Sequence, residues 1–424
     1  MSSKRLAAFG ALASLVVFTQ VAAASGTFVE PVTVLHTFDD PTPGVEGFFG
    51  WEVAALGDVD HDGVQEAIIS EIDTDTGTTY VYSGASGRLI YQLDGTESEL
   101  HGYAIADAGD VNGDGVSDIL SGAPSSAGHR GPGHLYLYSG RTGARLHAFV
   151  GETANDFFGS DAAGVGDVDL DGRPDILVSA AFADGIGRDS GRAYVYSGRT
   201  FGLLRTLEAE RAGDLFGSAV GSSADLNRDG VPELVVGARH AGTDRRGEAY
   251  VFSGRTGERL LEITAPPTGV DFGYFFATGV GDVDGDTTPD IYVADFRDTS
   301  LGPATGRAGV YSGVNGSQIR SFVGSAHHEG LGPGRGAGDV NRDGRPDLAV
   351  GSFMSSDGAD EAGQIEIYSG ADGSLLRRIT STTPDEQLGF DAIGFDDVND
   401  DGVPELLASA ANRDTVYLIA GDAP

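Results

Sequence analysis

The sequence predicts an all-β fold: a seven-bladed β-propeller of four-stranded blades, with the ring closed by the N-terminal strand. An acidic segment, first seen as GDVDHDGVQE at 57–66, recurs to give seven copies at intervals of 52 to 58 residues. Short apolar runs follow the copies and alternate as half-buried strands do, with no helical period between them. The seventh repeat stops after its third strand, whereas a strand-like segment, VTVLHTF at 32–38, precedes the first repeat.

Each repeat supplies the strands of one blade in the same order. A Phe-Gly or similar pair and a run of small residues form the first strand, as in FGSDAAGVGDV at 158–168. Small residues suit that strand because the innermost strands crowd around the axis. The acidic loop leads to the second strand, and segments such as TTYVYSG at 78–84 with a Gly-containing turn lead through the third strand to the fourth. A β-sandwich or a solenoid is the alternative, but a ring completed by the N-terminal strand would leave no sheet edge exposed.

The first 24 residues are predicted to be a signal peptide. Lys4 and Arg5 give a positive start, residues 6–18 form an apolar run of 13 residues, and small residues precede a cleavage point after Ala24. The apolar run is too short to span a bilayer comfortably. We therefore expect residues 25–424 to form a single propeller domain, secreted to the extracellular space or the periplasm, with no membrane span and as a monomer.

The composition disfavours several classes of partner. The chain has 424 residues, with 64 Asp and Glu against 27 Lys and Arg, and a net charge of −37. Nucleic acid and anionic membranes are therefore disfavoured, because binding to either requires concentrated basic surface. The chain has no cysteine, so its stability cannot come from disulfides and another source is expected.

The acidic loops match a calcium ligand set when their residues are numbered one to nine. Position one is always Asp, position three is Asp or Asn, position five is always Asp, and position nine is Asp or Glu. Alternate positions of a tight loop direct their oxygens to one point. Ca²⁺ takes about six to eight oxygen ligands, and in this loop the position-seven carbonyl and water can supply those that the side chains do not. The predicted ligands, loop by loop, are Asp58, Asp60, Asp62, Val64, Glu66; Asp110, Asn112, Asp114, Val116, Asp118; Asp167, Asp169, Asp171, Arg173, Asp175; Asp225, Asn227, Asp229, Val231, Glu233; Asp282, Asp284, Asp286, Thr288, Asp290; Asp339, Asn341, Asp343, Arg345, Asp347; and Asp397, Asn399, Asp401, Val403, Glu405.

Other metals fit these loops less well. Mg²⁺ prefers a strict octahedron and retains its waters, and Zn²⁺ favours Cys and His, neither of which occupies a ligand position. A single loop of this kind is often only a solvated turn, but seven clustered sets of carboxylates would repel one another without a cation. We therefore expect six or seven Ca²⁺ ions. The loop at Asp282–Asp290 is the doubtful site, because Thr287 replaces the Gly that a positive φ favours.

The repeated pattern resembles the FG-GAP repeat family, known from the seven-bladed N-terminal propeller of integrin α subunits. The resemblance rests on the Phe-Gly pair, the D-x-[DN]-x-D-G-x-x-[DE] loop and the Gly122-Ala123-Pro124 segment, and it covers about residues 32–421. It implies calcium in the loops and an integrin-like binding or adhesion function. Two features depart from the family: all seven repeats carry the loop, and repeat six has EGLGPG (329–334) in place of the Phe-Gly pair.

Three functions are weighed: an extracellular binding, adhesion or scaffold module, a propeller lectin that binds glycans, and a polysaccharide hydrolase or lyase. The enzyme is disfavoured, because neither H-E-x-x-H nor G-x-S-x-G occurs and His327-His328-Glu329 suits a solvated loop. We therefore expect no catalytic residues. A lectin would need accessible aromatic residues, and Trp51, Tyr274 and Phe296 are candidates, although core packing is the expected use of each.

The expected partner surface is the face opposite the calcium loops. The connections there vary most between repeats, and several contain arginines against the acidic background, including Arg130, Arg188, Arg245, Arg246 and Arg297. Because rigid scaffolds commonly carry functional loops, we expect an extracellular protein or glycan to bind on this face.

Overall fold

The structure, a computed structural model, describes residues 27–42, 47–73, 76–96, 99–125 and 131–421, so the predicted signal peptide lies outside the described residues. Seven four-stranded sheets form, and the first strand of each contacts the first strands of its neighbours in a closed ring. The predicted propeller is therefore confirmed. The strands are β1 (Val34–Asp39), β2 (Gly47–Leu56), β3 (Glu66–Asp73), β4 (Thr78–Ser83), β5 (Leu89–Asp94), β6 (Ile105–Gly109), β7 (Asp118–Ala123), β8 (His134–Tyr138), β9 (Arg145–Val150), β10 (Phe158–Gly164), β11 (Ile176–Ala180), β12 (Arg192–Tyr196), β13 (Leu203–Glu208), β14 (Phe216–Ser223), β15 (Glu233–Ala238), β16 (Glu248–Ser253), β17 (Arg259–Thr264), β18 (Ala277–Gly281), β19 (Asp290–Asp295), β20 (Arg307–Tyr311), β21 (Gln318–Val323), β22 (Leu331–Gly338), β23 (Asp347–Ser352), β24 (Gln364–Tyr368), β25 (Leu375–Thr380), β26 (Ala392–Phe395), β27 (Glu405–Ala410) and β28 (Thr415–Ile419), with a short 3₁₀ helix at Ala411–Arg413.

The N-terminal strand completes the last blade, as the sequence predicts. β1 pairs antiparallel with β28, from Val34 opposite Ile419 to Asp39 opposite Thr415, which gives the sheet order β1-β28-β27-β26. Phe38 of β1 is 2% exposed, and its ring centroid lies 4.9 Å from that of Tyr82 in the first blade. The closing strand therefore covers an edge of the last blade and also joins that blade to the first.

The phenylalanines of the Phe-Gly pairs are buried and pack against aromatic residues of their own blades. Each Phe is at most 1% exposed and meets a tyrosine of the third strand at centroid distances of 5.6 to 5.9 Å, in the pairs Phe49–Tyr80, Phe158–Tyr194, Phe216–Tyr250 and Phe272–Tyr311. Leu331 takes the place of Phe in repeat six and is 1% exposed. His101 takes it in repeat two, where burial lowers its pKa to about 4 and keeps the ring neutral. The position therefore requires a buried side chain of this size rather than phenylalanine itself.

The small residues of the inner strands are explained by close packing around the axis. A Cβ atom added to Gly164 would lie 2.4 Å from the carbonyl oxygen of Asp107 in the neighbouring blade. At Gly221 the added Cβ would lie 2.6 Å from the carbonyl oxygen of Ala277. Larger side chains cannot enter these places without separating the blades.

The ring has two faces, named here by what each one carries. The loop face carries the acidic loops, which join the first and second strands, and the turns between third and fourth strands. The pocket face carries the starts of the first strands and the connections between second and third strands. Within the described residues, no helix has the length and apolarity that crossing a membrane requires.

Candidate metal loops and axial pocket

The acidic loops share one conformation. The position-one carboxylate accepts the N–H groups of positions five and six, as Asp58 does from Asp62 and Gly63 at 3.1 and 3.0 Å. The same two bonds recur in the other six loops at 2.7 to 3.1 Å. Side chains at positions three and five accept the N–H two residues onward, as Asp60 and Asp62 do in the first loop. Backbone bonding therefore holds the alternate carboxylates in place.

Position six requires the left-handed region of backbone space. Six loops have Gly there with φ between 84° and 97°, and Thr287 in the fifth loop has φ of 74°. The N–H of Thr287 still donates to Asp282 at 2.9 Å, so the fifth loop keeps the common conformation. Its β-branched side chain strains the backbone there. The expectation of a positive φ is confirmed, and the metal content of this loop stays a prediction.

The acid at position nine lies beneath each loop. All seven of these side chains are at most 1% exposed. Asp175, for example, accepts N–H groups from Val168 of its loop and from Gly198 of the turn between the third and fourth strands, both at 2.9 Å. Burial raises the pKa of Asp175 to about 6, that of Glu66 to about 7 and that of Glu405 to about 8. A nearby cation would favour the charged form of these carboxyls.

Carboxylate oxygens converge in the loops that have Asp at position three. The described residues include three groups whose ligand atoms lie within 4.8 Å of one another: Asp58, Asp60 and Asp62; Asp167, Asp169 and Asp175; and Asp282, Asp284 and Asp290. The other four loops have Asn at position three, which offers Ca²⁺ an amide oxygen instead. Among the described residues, the buried Oε2 of Glu405 has no hydrogen-bond partner. Clustered hard oxygens and an unpartnered carboxylate oxygen fit Ca²⁺, while the full ligand sets remain predictions.

The pocket face opens into an axial pocket, a cavity of about 280 Å³. Six aromatic rings form a closed circuit around it, with neighbouring centroids 3.9 to 6.2 Å apart, in the order Trp51, Phe275, Tyr274, Phe296, Phe353 and Phe390. The indole N–H of Trp51 donates to the carbonyl oxygen of Tyr103 at 3.0 Å, which fixes the orientation of the indole ring. Four blades contribute these six rings, so the pocket depends on the assembled propeller.

The floor of the axial pocket carries charge. Arg335 Nη2 lies 2.8 Å from Asp391 Oδ2 and 3.6 Å from Glu52 Oε1, and Asp161 lines the same floor. Burial raises the pKa of Asp161 to about 7 and also raises those of Glu52 and Asp391. Three carboxyl groups thus face one guanidinium. A second cavity of about 560 Å³ continues from this floor toward the loop face.

The structure changes the interpretation of the aromatic candidates. Trp51, Tyr274 and Phe296 are half-buried and line the axial pocket, so the expectation that they pack in the core is wrong. Sequence reasoning missed the floor residues Glu52 and Arg335. Their signal was a charged residue at inner-strand positions where several other repeats have alanine.

The other polar candidates have structural partners. Glu329 accepts hydrogen bonds from the N–H and hydroxyl of Ser325 at 2.5 and 2.6 Å, and it therefore fixes its own loop. On the pocket face, Arg245 donates to Gly213 O at 2.8 Å and Arg297 Nη1 lies 2.6 Å from Asp271 Oδ2. Arg130 lies outside the described residues. Because Arg245 and Arg297 already have partners within the protein, their charges are less available to a binding partner than the sequence suggested.

The fold and the repeated loops together define a class: a seven-bladed propeller with an acidic nine-residue loop in every blade. The sequence profile described as FG-GAP-like repeat matches residues 110–178 and 225–293. The chain therefore carries FG-GAP-like repeats and resembles the propeller of integrin α subunits.

Comparison with known proteins supports this assignment. Integrin alpha-V of Gallus gallus is 32% identical over 213 residues, which are 46% of this chain and 20% of the relative. Integrin alpha pat-2 of Caenorhabditis elegans is 31% identical over 227 residues, 47% of this chain and 18% of the relative. The chain thus spans about a fifth of the length of these relatives. A solved structure titled "Structure of Dos1 propeller" aligns with a TM-score of 0.51 at 9% identity, over 88% of this chain and 77% of that one, which supports the fold alone.

Proposed function

We propose that this protein is a secreted, calcium-stabilised adhesion or binding module that captures a cationic side chain of an extracellular protein in its axial pocket. The observation that carries the proposal is the aromatic circuit above an acidic floor. Residues 1–24 would direct export, and the protein would bind its partner without catalysis.

The axial pocket suits a cation on two grounds. Aromatic faces attract ammonium and guanidinium groups, and the attraction strengthens when the cation leaves water. The floor adds three carboxyl groups. Only one of them, that of Asp391, pairs closely with Arg335. Glu52 lies farther from that guanidinium, at 3.6 Å, so its carboxyl group is the better placed to meet an entering cation, which would favour its charged form. A lysine or arginine side chain satisfies both the walls and the floor.

Calcium would act at the opposite end of the propeller. The side chains at positions one, three, five and nine, with the carbonyl at position seven, would hold six or seven ions. Bound Ca²⁺ would neutralise the clustered carboxylates that otherwise repel one another. The converging oxygens of three loops and the unpartnered Oε2 of Glu405 support this part of the proposal. The likeness to integrin α subunits supports an extracellular location and partner.

The single tryptophan provides a direct test, because Trp51 lies in the pocket wall. Titration with N-acetyl-argininamide or N-acetyl-lysinamide should change its fluorescence in a saturable way, whereas N-acetyl-glutaminamide should not. Glu52→Gln should weaken the response, and Glu258→Gln, at an exposed turn, should leave it unchanged. Fluorescence indifferent to both cationic amides would refute the pocket assignment. A response to methyl glycosides instead would favour a lectin.

A further inference from the structure

An arginine lies against the acidic loop in three consecutive blades. In blades two, three and four the turn between the third and fourth strands reads Ser-Gly-Arg, with the arginines at 141, 199 and 255. The corresponding residues of the other blades are Ala85, Val314, Ala371 and Asp422. The arginine is therefore a feature of some blades, and the fold itself does not require it.

Each turn arginine contacts position five of the acidic loop in its own blade. Arg141 Nη2 donates to the carbonyl oxygen of Asp114 at 2.7 Å, and Arg255 Nη1 donates to that of Asp229 at 3.1 Å. Arg199 makes the same bond to Asp171. In two blades the guanidinium also reaches the side chain: the Nε–Oδ distances are 3.4 Å to Asp114 and 3.3 Å to Asp171.

The loops of blades one and six provide the contrast. Among the described residues, no Lys or Arg nitrogen lies within 4.0 Å of a carboxylate oxygen of either loop. Arg141 does reach loop one, but there its Nη1 lies 3.4 Å from Nε2 of His61 and not against an acid. Their conformation nevertheless matches that of loops two to four, since the position-one carboxylates Asp58 and Asp339 accept the same N–H groups. The two sets of loops therefore share their backbone geometry and differ in whether a guanidinium is held against position five.

We infer that Arg141, Arg199 and Arg255 are built-in counter-ions that weaken Ca²⁺ binding in loops two to four and keep those loops folded without it. The inference rests on the proposed calcium binding. A guanidinium beside a ligand carboxylate repels a divalent ion and already neutralises part of the charge that attracts it. Both Arg141 and Arg199 are about half exposed, so solvent screens the effect, and we expect Kd to be about tenfold weaker than in loops one and six.

The test is calcium titration of the chelator-stripped protein by isothermal calorimetry, with bound ions counted by equilibrium dialysis. Wild-type protein should show two classes of site. The triple variant Arg141→Gln, Arg199→Gln, Arg255→Gln should bind three ions about tenfold more tightly than before. Without calcium, its thermal unfolding midpoint should fall below that of wild type, because three loops lose their counter-ions.

A matched triple variant controls for net charge. It carries Arg88→Gln, Arg188→Gln and Arg211→Gln. Among the described residues, these three arginines are exposed and make no ion pair with an acidic loop. Unchanged affinity in the turn-arginine variant, or an equal gain in the control, would overturn the counter-ion role while leaving calcium binding intact. Dialysis that finds no bound ion in any protein would overturn calcium binding itself and the inference with it.

Discussion

Ring closure offers the sharpest test of the architecture, through a pair of phenylalanine substitutions. Phe38 lies on the closing strand β1 and is 2% exposed, whereas Phe48 lies on β2 and is 50% exposed. Truncation of a buried phenylalanine to alanine costs about 3–5 kcal/mol, while an exposed one costs about 0.5 kcal/mol or less. Phe38→Ala should therefore lose about 3–5 kcal/mol of unfolding free energy, and Phe48→Ala almost none.

The assay is urea unfolding at saturating calcium, followed by the fluorescence of Trp51. Stability differences follow from the midpoints if the slope of free energy against urea is unchanged. Deletion of residues 25–40 extends the test, because it removes all of β1 and leaves β28 as an unpaired edge. We expect the deleted protein to aggregate or to unfold at much lower urea. A monomeric deletion variant with the wild-type midpoint, or equal costs for the two alanine substitutions, would refute closure by β1.

The remaining predictions concern the loops and the axis. At about 1 mM free Ca²⁺ and a Kd of about 0.1 mM, each site adds about 1.4 kcal/mol, so chelation should lower the calorimetric melting temperature by many degrees and 1 mM Mg²⁺ should restore little of it. Asp171→Ala should remove one counted ion, and Asp286→Ala should cost less stability, because Thr287 makes its loop the weakest. The proton that Asp161 holds in the folded state stabilises the fold below the ordinary carboxyl pKa of 3.8, and this contribution is lost as pH rises through about 7. Asp161→Asn should therefore flatten the fall in urea stability between pH 4.5 and 7.5, whereas substitution of the exposed Asp94 by Asn should not.

The repeats made the fold predictable from the sequence. Seven acidic loops in register gave the blade count, and the incomplete seventh repeat gave the closing strand, because an unpaired sheet edge is unfavourable. The positive φ at Thr287 followed from the glycines at the same position of the other loops. The blade count, the closing strand and the loop conformation can each be read from one repeat or from comparison of the repeats, because nearby residues determine them.

The axial pocket was not predictable in the same way, because it forms where unlike residues of different blades meet. Trp51 and Phe390 are distant in sequence, yet their ring centroids lie 5.3 Å apart across the joined ends of the ring. Nothing in either repeat alone distinguishes such a contact from core packing. The turn arginines were missed for a related reason: their partners lie 27, 28 and 26 residues earlier and become neighbours only once the blade is formed.

Departures from the repeat nevertheless point to the axis. The residue six places before each position-one Asp is Ala in repeats two and four, but Glu52, Asp161 and Asp391 in repeats one, three and seven. All three acids line the floor of the axial pocket, and Arg335, at an inner-strand position that is Ala in the first three repeats, pairs with two of them. Burying charge around an axis where alanine fits is costly unless the charges are paired. One guanidinium cannot pair closely with three carboxyl groups, and an entering cation would favour the charged form of those that it leaves unpaired. The sequence positions that break the repeat at the axis are therefore the ones on which the proposed binding function depends.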